Sequence, residues 1–137
     1  MKSGKAIPSI MNYMTVAPLS VGSDQNIDEA HKIMQGNRIR HLPVMTAGKI
    51  SGMISDRDIK LALSLRGVDS SKTKIEEISS SDVFIVKSDA KLDDVVKTMA
   101  DKKVGSVLIV DNNKLVGIFT TIDALMALHE LLQTRLA

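Results

Sequence analysis

The chain contains no cysteine and no tryptophan. Without thiols there is no disulfide framework, no thiol nucleophile and no zinc–thiolate centre, which suits a reducing compartment without requiring one. The only aromatic residues are Tyr13, Phe84 and Phe119, too few for a stacking platform that would hold single-stranded nucleic acid. An excess of charge of one sign is missing as well. Eighteen Lys and Arg stand against sixteen Asp and Glu, leaving a net +2 with the basic residues dispersed. That balance argues against a dedicated nucleic-acid surface. No apolar run approaches the ~18 residues of a membrane span. Lys2 and Lys5 are not followed by the apolar core of a signal peptide, and His31, His41 and His129 do not stand at metal-ligand spacing. The expectation is a cytoplasmic protein with neither a bound metal nor a membrane segment.

What the chain does have is a repeat. Residues 21–63 align with 86–128 without a gap, and 11 of the 43 positions are identical. The identities are Val21/Val86, Ser23/Ser88, Asp24/Asp89, Asp28/Asp93, Lys32/Lys97, Met34/Met99, Lys49/Lys114, Gly52/Gly117, Asp58/Asp123, Ala62/Ala127 and Leu63/Leu128. One stretch is nearly respelled: Gly52-Met53-Ile54-Ser55-Asp56-Arg57-Asp58 returns as Gly117-Ile118-Phe119-Thr120-Thr121-Ile122-Asp123. A self-similarity at fixed period means a duplicated structural unit. One copy of ~60 residues buries too little surface to be comfortable alone, so the two copies are expected to pack together.

Within each copy the pattern reads strand, helix, strand, strand, helix. Val83–Val86 is a short β-rich run. Ser88-Asp89 offers an N-cap to a helix with Leu92, Val95, Val96 and Met99 on one face, as Ser23-Asp24 does before Ile27, Ala30 and Met34. Two continuous apolar runs follow, Ile39–Met45 and Ile50–Ile54 around Thr46-Ala47-Gly48-Lys49, and Ser106–Val110 and Leu115–Phe119 around Asp111-Asn112-Asn113-Lys114. Both read as hairpins. Closing helices carry Ile59, Leu61, Ala62, Leu63 and Leu65, stopped by Gly67, and Ile122, Leu125, Met126, Leu128 and Leu132. The domains drawn from this pattern are 10–66 and 75–130, joined by the polar linker 67–74. Pro8 precedes a short helical segment with Ile10, Met11 and Met14. His31 and His129 lie among apolar helix neighbours and read as packing or surface residues.

The repeated motif supports two readings. Ser55-x-x-Asp58 and Thr120-x-x-Asp123 have the spacing of a capping box, in which hydroxyl and carboxylate satisfy the first amides of a helix. The same geometry at a helix N-terminus favours a polar or anionic ligand, and a carboxylate there can accept from the two hydroxyls of a ribose. Gly52 and Gly117 permit close approach of a ligand or of neighbouring backbone, or only relieve the strand.

These units, each ending Gly-apolar-apolar-(Ser/Thr)-x-x-Asp, resemble a tandem of cystathionine-β-synthase (CBS) domains, also called a Bateman module, over about Ile10 to Leu128. The stretch Arg38-Ile39-Arg40-His41-Leu42-Pro43-Val44 is similar to the family's second strand. The resemblance implies an α+β fold of two β-α-β-β-α repeats about a pseudo-two-fold axis. It implies regulation without catalysis, with clefts for adenosine-containing ligands such as AMP, ADP, ATP or S-adenosylmethionine. No other cofactor is required. By that resemblance Asp58 and Asp123 take ribose hydroxyls, and Ser55 and Thr120 take ribose or phosphate. Val16, Ala17 and Pro18, and Val83, Phe84 and Ile85, line the base pockets, while Arg40, His41 and Arg57 meet phosphate. It further implies a homodimer and an effector protein as partners.

The copies differ where charge matters. Gly105-Ser106 stands opposite Arg40-His41, and Ile122 opposite Arg57. The alternatives for Arg40 and His41 are a solvated strand residue and a satisfied interface histidine. One strong site, or one strong and one weak, is expected. A ligand-blind interaction module using the apolar helices is the competing reading.

Overall fold

In the computed structural model, which describes residues 6–16 and 19–136, the chain begins with a 3-10 turn at Ile10–Asn12 and a two-residue strand β1 (Thr15–Val16). The first repeat then runs β2 (Val21–Gly22), α1 (Ile27–Asn37), β3 (His41–Thr46), β4 (Lys49–Ser55) and α2 (Asp56–Leu63). After a second 3-10 turn at Ile75–Glu77 come β5 (Ile85–Val86), α3 (Leu92–Lys102), β6 (Ser106–Asp111), β7 (Lys114–Thr120) and α4 (Thr121–Leu136). This mixed α/β order is the one the periodicity predicts.

Two compact units form, and neither coincides with a sequence repeat. One comprises the described residues from 19 to 83; the other joins residues 6–16 to 84–136. In the first unit the sheet order is β2-β3-β4, with β2 parallel to β3 through the α1 crossover and β3–β4 an antiparallel hairpin. In the second it is β1-β7-β6-β5, with β5 parallel to β6. The segment leading into each repeat is packed on the body of the other repeat. Thr15 pairs with Ile118 on β7, and Ser80, its counterpart, bridges Met53 on β4. The Ile10 amide donates to the Ala90 carbonyl at 2.7 Å, and the Ile75 amide donates to the Gln25 carbonyl at 2.8 Å. Ile75 is a fully buried member of the core of the first unit, with Ile27, Leu42, Val44, Ile54 and Ile59. Ile10 fills the same place in the second, with Leu92, Val95, Val107, Ile109 and Phe119. The central residues Leu42–Val44 and Val107–Ile109 are buried in succession, as continuous apolar runs require.

Helix boundaries depart from expectation at three places. Ser23-Asp24 does not cap α1. Asn26 does, its side chain accepting from the Glu29 amide at 2.9 Å while Glu29 reaches back to the Asn26 amide. Ser23 is instead buried in the turn after β2, its hydroxyl bonded to Thr46 and its amide to the Met45 carbonyl. Ser88-Asp89 does not cap α3 either; Lys91 holds that position without a side-chain bond, and the Pro8 carbonyl accepts from the Leu92 amide at 2.9 Å. Its counterpart in the first unit is the Thr73 carbonyl on the Ile27 amide, so the linker 67–74 serves as an N-terminal cap. Gly67 is not the stop for α2, which ends at Leu63 with Ser64 as C-cap; Gly67 closes a later turn at φ +85°.

Both hairpins turn on two residues with positive φ: Ala47 (51°) and Gly48 (78°), Asn112 (51°) and Asn113 (64°). Such turns match strand twist but need left-handed residues, and alanine is a poor one. Ala47→Asn, which copies Asn112, is expected to stabilise by about 0.5–1 kcal/mol through relief of that strain, read as a shifted urea midpoint at unchanged slope.

Candidate functional site

The motif places a carboxylate at the junction of the last strand and last helix of each repeat. Ser55 ends β4 and is N-cap of α2, with Asp58 at the third helical position. The Ser55 amide donates to Asp58 Oδ2 at 2.8 Å, and the Asp58 amide donates to Ser55 Oγ at 3.0 Å. The capping box is complete. The Asp56 amide donates to the Arg40 carbonyl at 2.8 Å, and in the second repeat the Thr121 amide donates to the Gly105 carbonyl at 3.1 Å. The second junction is bonded differently. The Thr120 amide donates to Asp123 Oδ2 at 2.8 Å, but the Thr120 hydroxyl donates to that same oxygen at 3.3 Å, and the Thr15 hydroxyl donates to Asp123 Oδ1 at 3.3 Å. Both carboxylates are partly exposed, so each cap coexists with access from solvent.

The glycine of the motif serves the protein's own backbone. A Cβ built on Gly52 would lie 2.6 Å from the Ser80 carbonyl oxygen. One on Gly117 would run into the Met14 side chain and stand 3.0 Å from the Thr15 carbonyl oxygen. Close approach of neighbouring backbone, one of the readings open from sequence, is present at both glycines, with the Met14 side chain nearer still at Gly117.

The basic candidates gather beside Asp58. His41 opens β3 directly opposite Ser55, and Arg40 immediately precedes the strand rather than lying in it. Arg57 is exposed on the first turn of α2. Among the described residues the Arg40 and Arg57 guanidinium groups have no acidic partner, whereas Lys60 neutralises Asp56 at 3.0 Å. Burial depresses the His41 pKa below 6.5; the Asp58 charge opposes this and Arg40 adds to it. Stability from keeping His41 neutral is therefore complete above pH 6.5 and is lost as pH falls below that value toward the depressed pKa, where the unfolded chain binds more protons. Urea titrations from pH 7.5 to 5 should show this fall in the wild type and a smaller one in His41→Gln. An equal fall in both would contradict it.

The described base-pocket candidates belong to both units. Val16 is exposed on β1 and Ile85 is half-exposed on β5. Phe84 packs against the core of its own unit with the Lys102 ammonium 5.4 Å from its ring centre, and Val83 falls in the other unit. Ala17 and Pro18 lie outside the described residues. Sequence reasoning missed Thr15, which reaches Asp123 from 108 positions away. Only the tertiary pairing of β1 with β7 reveals it.

The CBS domain family matches residues 10–65 and 75–130, most of the chain and both repeats. The chain belongs to the CBS domain family. It is 33% identical over 110 residues to the CBS domain-containing protein YhcV of Bacillus subtilis, covering 80% of this chain and 78% of that one. The crystal structure of the CBS domain pair of protein MJ0100, in complex with 5′-methylthioadenosine and S-adenosyl-L-methionine, superposes with a TM-score of 0.82 at 30% identity, over 91% of this chain and 98% of that one. A protein provisionally assigned to acetoin utilization (AcuB) from Vibrio cholerae gives 0.84 at 27% identity, over 95% and 96%. CBS domain pairs are regulatory modules, and the fold of this chain is that module. Among the described residues no helix is long and apolar enough to cross a membrane.

Proposed function

We propose that this CBS pair senses an adenosine-containing ligand, an adenine nucleotide such as AMP, ADP or ATP, and passes its occupancy to an effector protein. One observation carries the reading: a partly exposed carboxylate sits at the same strand–helix junction in both repeats, in a fold that holds two adenosine compounds in a 30%-identical relative. Asp58 and Asp123 take ribose hydroxyls. Arg40, His41 and Arg57 supply phosphate contacts in the first repeat, where charge-assisted bonds are the strong ones. Ser55 and Thr120 flank the ribose, and Val16, Ala17, Pro18, Val83, Phe84 and Ile85 are the base-pocket candidates. No catalysis is part of the proposal, and the compartment is cytoplasmic.

A ligand that binds only the folded form stabilises it by mass action, about 2.7 kcal/mol at a hundredfold excess over Kd. A thermal-shift series with AMP, ADP, ATP, S-adenosylmethionine and NAD should therefore raise Tm for at least one. Asp58→Asn should weaken that ligand by roughly tenfold or more, since hydrogen bonds to a charged group contribute ~1.5–3 kcal/mol. No shift with any of the five at millimolar concentration sinks the reading.

A second reading rests on a separate observation. Leu61, Leu63 and Leu65 around the end of α2, and Ile122, Leu125, Met126, Leu128 and Leu132 on α4, are exposed. The apolar side chains that α2 buries in the core are Ile59 and Ala62. Exposed apolar side chains in that number on each of the two helices favour association with a second copy. A dimer by light scattering that is indifferent to all five ligands would favour an interaction module over a sensor.

A further inference from the structure

We infer that the two motif carboxylates are unequal receptors for a diol: Thr15 occupies at Asp123 the place a ligand hydroxyl would take, which leaves Asp58 as the primary site. This rests on the ribose reading above and specifies which copy of the site fills first.

A ribose presents two adjacent hydroxyls, and a carboxylate grips them best with one oxygen each. At Asp123 both oxygens are already in use. Oδ2 receives the Thr120 amide and hydroxyl, and Oδ1 receives the Thr15 hydroxyl. Thr15 is held there by its backbone, which pairs with Ile118 through β1 and β7. At Asp58 only Oδ2 is engaged, by the Ser55 amide. The Ser55 hydroxyl is turned to accept from the Asp58 amide, and among the described residues no hydroxyl reaches Oδ1. The counterpart of Thr15 is Ser80, and its hydroxyl accepts from the Asp82 amide at 3.2 Å instead. The duplicated sequence conceals this difference, because Ser55/Thr120 and Ser80/Thr15 are both hydroxyl-for-hydroxyl exchanges. The bonds from the two threonine hydroxyls are long at 3.3 Å, so a diol can displace them. Asp123 is a weakened site, not a closed one.

Isothermal titration of the full chain with AMP, alongside Asp58→Asn, Asp123→Asn and Thr15→Val, tests this. The tighter event should disappear in Asp58→Asn and persist in Asp123→Asn. Thr15→Val should tighten the weaker event about three- to tenfold, less than a short hydrogen bond to a carboxylate contributes because this one is long at 3.3 Å. Two equal sites in the wild type, loss of the tighter event in Asp123→Asn, or a weaker second event in Thr15→Val would each overturn the inference. If AMP gives no heat with any of the four proteins, the nucleotide reading fails for it, and the Thr15–Asp123 contact is judged without ligand. Thermal melts of Thr15→Val, Asp123→Asn and the double variant should then give non-additive Tm changes; additive changes overturn it.

Discussion

Ile75→Ala is expected to cost about 2–5 kcal/mol of unfolding free energy, and Ile10→Ala the same range, the usual penalty for emptying a well-packed isoleucine site. Both side chains are wholly buried, yet both lie outside the strand–helix–strand–strand–helix bodies, in short leads held by one 3-10 turn and a few backbone bonds. Nothing in the body of a repeat replaces them. Ile75 closes the core of the unit that contains α1 and α2, and Ile10 that of the unit containing α3 and α4. The two substitutions should therefore weaken different units. Urea unfolding followed by hydrogen exchange reports which amides open first. Ile75→Ala should loosen β3 and β4, and Ile10→Ala should loosen β6 and β7. A change below about 0.5 kcal/mol for either variant, the size expected of an ordinary surface position, would mean that the lead is dispensable.

Gly52→Ala should be the second large effect, about 1–3 kcal/mol from overpacking. The obstacle is backbone. The Ser80 carbonyl that a Cβ would meet accepts from the Met53 amide at 2.8 Å, and the Ser80 amide donates back to the Met53 carbonyl at 2.9 Å. Moving Ser80 aside breaks both bonds. Gly117→Ala should cost less, because its nearest obstacle is the flexible end of Met14, although the Thr15 carbonyl leaves little room. Chemical denaturation of the pair gives the order directly. If Gly52→Ala unfolded like the wild type but lost ligand, the glycine would be serving a ligand and not the Ser80 backbone.

Sequence reasoning reached the fold through periodicity and duplication, and these are local signals. The hairpins at 46–49 and 111–114, the apolar runs of β3, β4, β6 and β7, and the junction at Ser55 and Thr120 all fall where the pattern puts them. The helix starts fall elsewhere because the two serines that look like caps are bonded to other partners. The Ser23 hydroxyl is bonded to Thr46, and the Ser88 amide donates to Asp111. The helix stops at Arg38 and Lys103 were invisible for a related reason. Both adopt left-handed φ, near 53° and 56°, without being glycine or asparagine, and the following Ile39 and Val104 amides return to Met34 and Met99. Packing of Ile39 and Val104 on the core holds that geometry.

At the candidate site, spacing was enough to bring Ser55 to Asp58 and Thr120 to Asp123, since three residues across a strand–helix corner lie within reach of one another. The clustering of Arg40 and His41 beside Asp58 required the β3–β4 register, which sets His41 opposite Ser55. The chain's own residues thus determined its family, its order of elements and the duplicated carboxylate, because each depends on neighbours a few positions apart. Only the tertiary structure decided that the leads cross over, that the motif glycines make room for Ser80 and Thr15, and that Thr15 engages Asp123 while Ser80 leaves Asp58 alone. Those outcomes turn on contacts between segments 27 to 108 residues apart, whose geometry no local pattern encodes.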